Sequence, residues 1–203
     1  MTKKDYLCMG TLMLIFTILV FFRLGNTYAP ESYYETSADN RDVIIDFGEY
    51  LDVSTMKIFL GNLDNRTVSV SVFNEVTGEW EIINGEAQIT SVFQWNEIPM
   101  HYYTRYLGFV FLDEGAVLNE FVFLGSNGNI ITPVNTADYP ELFDEQDMFP
   151  ETVTYLCGTM FDEIYHGRTG YEFLHGLQTY ETTHPHFGKI LISIGIALFG
   201  MNP

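Results

Sequence analysis

Basic residues are scarce in this chain: 9 Lys and Arg stand against 27 Asp and Glu, a formal net charge of −18 over 203 residues. Between Ala29 and Glu163 the cations are Arg41, Lys57, Arg66 and Arg105. So acidic a surface repels phosphate backbones, which excludes nucleic acid as a partner. Cysteine is nearly absent as well. Cys8 sits in an apolar run and Cys157 in a distant polar stretch, so neither a disulfide framework nor a cysteine-based metal site is available. Charge is missing altogether from Tyr6 to Phe22, and hydrophobic residues still make up 47% of the chain. The composition is that of a chain written for two different environments.

The uncharged run includes Leu12-Met13-Leu14-Ile15-Phe16 and Ile18-Leu19-Val20-Phe21-Phe22. At ~1.5 Å per residue it reaches roughly 25 Å, the short end of what crosses a ~30 Å hydrocarbon core. A transmembrane helix is therefore expected within residues 1–29. Lys3 and Lys4 would keep the N-terminus cytoplasmic and place the chain after Arg23 outside the membrane. Thr27-Tyr28-Ala29 loosely resembles a signal-peptide cleavage site, but Pro30 directly after it argues against cleavage.

From about Asp42 to Val134 the residues alternate and turns recur, the pattern of an all-β domain over residues 38–134. Expected strands are Val43-Ile44-Ile45, Met56 to Leu60, Val68 to Val72, Trp80 to Ile83, Val92 to Trp95, Tyr106 to Leu112 and Phe121-Val122-Phe123. The breaks are Gly61-Asn62, Thr77-Gly78, Asn84-Gly85, Gly115 and Ser126-Asn127-Gly128-Asn129. Seven or eight short strands in this length suit a sandwich, with Val68, Val70 and Val72 inward and Ser69 and Ser71 outward.

This segment resembles the discoidin, or factor 5/8 C-terminal, type of galactose-binding-like sandwich. The residues that carry the likeness are Ile45-Asp46-Phe47-Gly48, Gly78-Glu79-Trp80, Arg105-Tyr106-Leu107 and Leu118-Asn119-Glu120. Members of that fold often bind glycans through loops at one end, and many are spacers. Residues 135–160, with Pro140, Pro150 and the acids Glu141, Asp144, Glu145, Asp147 and Glu151, read as an acidic linker.

Phe161-Asp162-Glu163-Ile164-Tyr165-His166 opens a segment in which Ile164, Tyr171 and Leu174 fall at roughly helical spacing, with Gly176 where a helix would stop. On residues alone, two acids at a helix start are a cap and a dipole partner. Tyr180-Glu181-Thr182-Thr183-His184-Pro185-His186-Phe187-Gly188-Lys189 then runs into Ile190 to Met201, apolar but short of a span. Lys189 by itself is a lysine snorkelling at a helix end.

Together, residues 161–203 resemble the first external loop of the protein O-mannosyltransferase family, glycosyltransferase family 39, and its bacterial relatives. Those enzymes have the GT-C membrane fold and use polyprenyl-phosphate sugars. The resemblance implies Asp162 as the base that deprotonates a hydroxyl acceptor on protein or glycan, with Glu163 orienting the site. A carboxylate at an interface suits that task because partial desolvation makes it more basic. The resemblance also implies Lys189, His184, Arg168 and His166 as contacts of the lipid phosphate and sugar, where donors would stabilise the departing charge. The family usually has a second Pro where His186 stands, which puts activity in doubt.

The spacings of His166, His175, His184 and His186 match no zinc motif, so no metal is expected, and no cofactor. The expected architecture is a membrane-anchored α+β chain. It has an N-terminal transmembrane helix, an extracytoplasmic jelly-roll, galactose-binding-like β-sandwich, a juxtamembrane helix and the start of a second transmembrane helix. Two functions follow: the N-terminal part of a polyprenyl-phosphate-sugar-dependent membrane glycosyltransferase, inactive alone, or a membrane-anchored carbohydrate-binding or structural ectodomain.

Overall fold

A computed structural model describes residues 2–22 and 29–201; Arg23, Thr27, Tyr28 and Pro203, on which the orientation and cleavage readings touch, lie outside them. The chain opens with helix α1 (Lys3–Phe21), started by a capping box in which Thr2 and Asp5 exchange side-chain and backbone hydrogen bonds. The expected membrane spans are not there: among the described residues no helix is long and apolar enough to cross a membrane. Lys3, Lys4 and Asp5 fill the first turn of α1, and the apolar remainder measures roughly 24 Å against a ~30 Å core. The segment expected to start a second span forms a 14-residue helix, short of a crossing length as its apolar run already was.

Among the described residues seven strands form one hydrogen-bonded sheet: β1 (Tyr34–Glu35), β2 (Asp42–Leu60), β3 (Arg66–Asn74), β4 (Glu79–Ile89), β5 (Trp95–Phe111), β6 (Val117–Gly125) and β7 (Ile130–Ile131). The order is β1-β6-β2-β5-β3-β4, with β7 beside β6. Two strands are far longer than the pattern suggests, because β2 and β5 each serve both layers. The first half of β2 pairs only with β5, from Asp42↔Val110 to Asp46↔Tyr106. Its second half, from Val53 onward, lies between β5 and β6. Between Asp46 and Leu51 the register shifts, and such bulges bend a strand and increase its twist. The sheet thus folds over itself into a sandwich.

The rings that meet across the fold confirm the two layers. Phe109 lies 6.0 Å from Phe123 and Phe111 lies 6.4 Å from Phe121, and all four are fully buried with Ile45, Ile58, Val68 and Leu107. Burying one such side chain stabilises by about 1.5–3 kcal/mol, which makes this the main cohesive cluster. On β3, Val68 and Val70 are buried as expected, while the Ser71 hydroxyl donates to the Gly108 carbonyl (3.3 Å) and the Trp80 ring packs over Gly108.

Residues 135–160 form a strap of four short 3-10 turns lying on the sandwich. Asn135 Oδ1 accepts from the Asp46 amide (2.9 Å), and the Tyr139 hydroxyl accepts from the Ile44 amide (3.1 Å). The otherwise open edge of β2 is thereby covered, as edge strands require. Leu142 and Leu156 are buried, and Phe149 sits edge-on to Trp95 at 5.1 Å. Helices α2 (Glu163–His175) and α3 (His186–Phe199) follow. Gly176 ends α2 in the left-handed region (φ 65°), where glycine adds no strain.

Candidate functional site

Two regions concentrate polar chemistry. The first is the α2–α3 hairpin, which holds every residue singled out in the C-terminal motif. Its helices approach closely because Gly170 faces Ile192: a Cβ there would stand 2.8 Å from the Ile192 Cγ2. The Ser193 hydroxyl bridges the contact, donating to the carbonyls of Gly170 (2.8 Å) and Lys189 (2.9 Å).

Two buried charges pin the connection between the helices. Glu172, 1% exposed, accepts from Arg168 Nε (2.9 Å) and from the Tyr180 amide (2.8 Å). Lys189, also 1% exposed, donates to the Glu181 carbonyl (3.0 Å) and to its Oε2. The lysine, with the Thr183 hydroxyl and amide, holds the Glu181 carboxyl well below the usual carboxylate range. Arg168 lies 4.5 Å over the Tyr180 ring, which stacks on Tyr165 at 5.9 Å.

The expected site residues therefore divide. His166 and His184 meet edge-to-face at 4.9 Å, and His184 Nδ1 lies 3.3 Å from Glu181 Oε1. Lys189 reaches the same carboxylate, and Arg168 is one contact away through Tyr180 and Glu172. Asp162 and Glu163 stay out of these side-chain contacts, although Asp162 lies one helical turn before His166, whose amide donates to its carbonyl (3.2 Å). Asp162 is the N-cap of α2 but does not cap it with its side chain, and Glu163 Oε2 accepts from the Met160 amide at 2.8 Å. Directly before them the exposed Phe161 holds a left-handed φ of 57°, a strained conformation for a bulky residue.

Residue-by-residue reading missed Glu172 and Glu181, the two carboxylates around which the hairpin is organised. Glu181 was within reach, lying in the same motif as His184 and Lys189. Glu172 resembled an ordinary helix-surface acid, and only its position on the face toward the connection reveals its role.

The second region lies at one end of the sandwich. In the β2 bulge, the four residues Phe47 to Tyr50 oppose the single residue Arg105 of β5. The bulge turns Tyr50 outward beside Tyr103, ring centroids 5.6 Å apart and tilted by 31°. His101, two residues earlier on β5, has φ 59°, a second departure from strand geometry at this spot. Arg105 grips Asp46 through Nε (3.0 Å) and an outer nitrogen (3.2 Å), and lies 3.9 Å from Glu75. The guanidinium hydrogen bond lowers the Asp46 pKa. Local burial, then the hydrogen bond to Glu75, raises that of Tyr50. Arg105 also covers the Tyr106 ring at 4.7 Å, which continues through Phe73 to the partly exposed Trp80.

No protein-family model matches this chain, and no curated protein matches it. Among solved structures it is similar to CpGH89CBM32-6 produced by Clostridium perfringens, with 16% identity and a TM-score of 0.40 over 50% of this chain and 84% of that one. It is also similar to the Family 89 Glycoside Hydrolase from Clostridium perfringens in complex with PUGNAc, with 14% identity and a TM-score of 0.38, over 73% of this chain and 16% of that one. A further glycoside hydrolase matches at 12% identity and a TM-score of 0.37, over 44% of this chain and 21% of that one. Likenesses this distant carry no argument about activity, and these comparisons do not support the O-mannosyltransferase resemblance of residues 161–203.

Proposed function

We propose that the sandwich is a carbohydrate-binding domain whose ligand lies across Tyr50 and Tyr103. The observation that carries this is the exposed ring pair, 39% and 71% accessible, set beside an Arg105 fork already paired with Asp46. Apolar sugar faces pack on tyrosine rings that lose little conformational entropy on binding. The hydroxyls around the sugar ring suit a guanidinium and carboxylates fixed in one plane. Asp46, Glu75 and Arg105 therefore orient the ligand while the tyrosines supply contact area. Glycan-array screening followed by calorimetry tests this. Tyr103→Ala should weaken binding of any array hit by about tenfold, the loss of roughly 1.4 kcal/mol of ring contact. Absence of any glycan hit, or a hit indifferent to both Tyr103→Ala and Arg105→Ala, would overturn the assignment.

A second reading rests on the hairpin: sugar transfer from a polyprenyl-phosphate donor to a hydroxyl acceptor, with Asp162 as base. The gathering of His166, His184 and Arg168 around one exposed connection favours it. In this reading Lys189 is a positioning residue for Glu181 rather than a direct phosphate contact, because its ammonium is buried and engaged. Transfer from a radiolabelled polyprenyl-phosphate mannose, seen when further membrane spans are joined after residue 203 and abolished by Asp162→Asn, is the expected result. Transfer that persisted in that variant would remove Asp162 from the role.

A further inference from the structure

His166 lies on α2, whereas Glu181 and His184 lie on the connection, far enough apart in sequence that no spacing motif joins them. In the folded hairpin their ligand atoms all fall within 4.8 Å of one another. We propose that His166, Glu181 and His184 form a binding site for a zinc-class divalent cation.

The chemistry of the set fits such an ion. Two imidazoles and one carboxylate are the borderline-soft combination that zinc takes when three protein ligands leave a fourth position open. The spacing fits too. Donors at ~2.0–2.1 Å around a tetrahedral ion are roughly 3.3 Å apart, and Glu181 Oε1 and His184 Nδ1 are 3.3 Å apart. Rotation of the His166 ring brings in the third donor, since it already meets the His184 ring edge-on.

The carboxylate is held at both of its oxygens. Lys189 occupies Glu181 Oε2, the His184 amide donates to Oε1 at 3.2 Å, and Thr183 donates to Oε1 through both its amide and its hydroxyl. Supports of this kind fix a ligand's orientation. Lys189 shares the carboxylate with the cation and the Thr183 and His184 donors share the ligating oxygen itself, so both moderate affinity. His184 keeps 46% of its side chain exposed, and the open position faces solvent, where water or an oxygen of a phosphate or hydroxyl ligand completes the shell. A second cluster among the described residues, Glu120, Asp144 and Glu145, offers oxygen alone, a set suited to harder cations.

The test is calorimetric titration of zinc into the chelator-stripped chain, paired with the visible spectrum of bound cobalt. One zinc per chain and a tetrahedral cobalt spectrum are expected. His166→Gln, Glu181→Gln and His184→Gln should each weaken zinc by more than about tenfold, the scale on which metal shells respond to substitution. His184→Gln changes an exposed side chain, so unchanged circular dichroism in that variant separates lost coordination from lost folding. His175→Gln, whose Nδ1 lies 2.9 Å from the Tyr171 carbonyl, and His186→Gln, packed on Phe173, should leave affinity unchanged. No zinc uptake, equal affinity in His184→Gln, or loss of binding in His186→Gln would each overturn the assignment.

Discussion

Glu120 is fully buried on β6, and its ionisation should set how stability varies with pH. Its carboxylate accepts from the Glu145 amide at 3.1 Å and from the Gln146 side chain, joining the sheet to the strap. Glu145 in turn accepts from the amides of Glu31 (2.8 Å) and Ser32 (3.1 Å), and the Ser32 hydroxyl donates to Asp144 at 2.7 Å. Burial pushes the Glu120 pKa from 4.5 up to about 7, the two hydrogen bonds only partly opposing it, and the nearby Asp144 and Glu145 charges add to the rise. The folded state holds this proton more tightly than the unfolded chain. Its contribution is therefore complete below the unfolded pKa and is lost as pH rises through the folded one. At about 1.4 kcal/mol per pH unit, the loss from about pH 5.5 to full ionisation near pH 8 is about 2 kcal/mol. The range stays above the acidic pI, where net charge vanishes and solubility falls. Urea unfolding followed by fluorescence of Trp95, which packs against the strap residue Phe149, measures this in the natural chain and in Glu120→Gln. The amide cannot accept from both donors and costs roughly 1–3 kcal/mol at the acid end. It does not titrate, so the stability gap between the two proteins should close by about 2 kcal/mol at the alkaline end. A gap constant with pH would refute the reasoning.

Other outcomes follow from the packing. Gly170→Ala forces a methyl against Ile192 and should cost about 1–3 kcal/mol by overpacking, seen as faster amide exchange in α2 and α3 with the sandwich protected. Glu172→Ala strands Arg168 and the Tyr180 amide and should cost about 3–5 kcal/mol, as broken buried pairs do, measured by denaturant unfolding. Lys57→Met removes an ion pair whose Glu97 partner is more than half exposed and should change the same measurement by less than about 1 kcal/mol. Asp46, held low by Arg105, stabilises above its unfolded pKa and loses that contribution as pH falls; in Arg105→Gln this acid dependence should flatten.

Much of the sandwich was legible because its signals are local. Gly78, Gly115 and Gly128 adopt positive φ where turns were expected, and the Val68-x-Val70 alternation puts both valines in the core. The errors share a cause. Val43-Ile44-Ile45 and Met56 to Leu60 read as separate strands, yet they are two ends of β2, joined through a bulge that only its pairing with β5 defines. Asn84-Gly85 reads as a turn and lies inside β4, where the pairing with β3 shifts register. Val92-Phe93-Gln94 reads as strand but precedes β5 as a tight turn, with Phe93 at φ 54° packed on Tyr171 of α2 at 5.0 Å. Tyr6 to Phe22 read as a span although its roughly 25 Å already fell short of a ~30 Å core, and the helix that forms there is not long and apolar enough to cross.

The sequence by itself determined the alternating pattern, the turns, the acidic surface and the presence of the Asp162 to Lys189 motif, since each depends on residues close together in the chain. The tertiary structure decided which of them meet. Loop closure and strand pairing bring Tyr50 to Tyr103 and His166 to Glu181 and His184, and burial behind β6 turns Glu120 from a surface acid into a titrating seam. Proximity across a fold and exclusion of water are properties of the packed chain, and no local pattern encodes them.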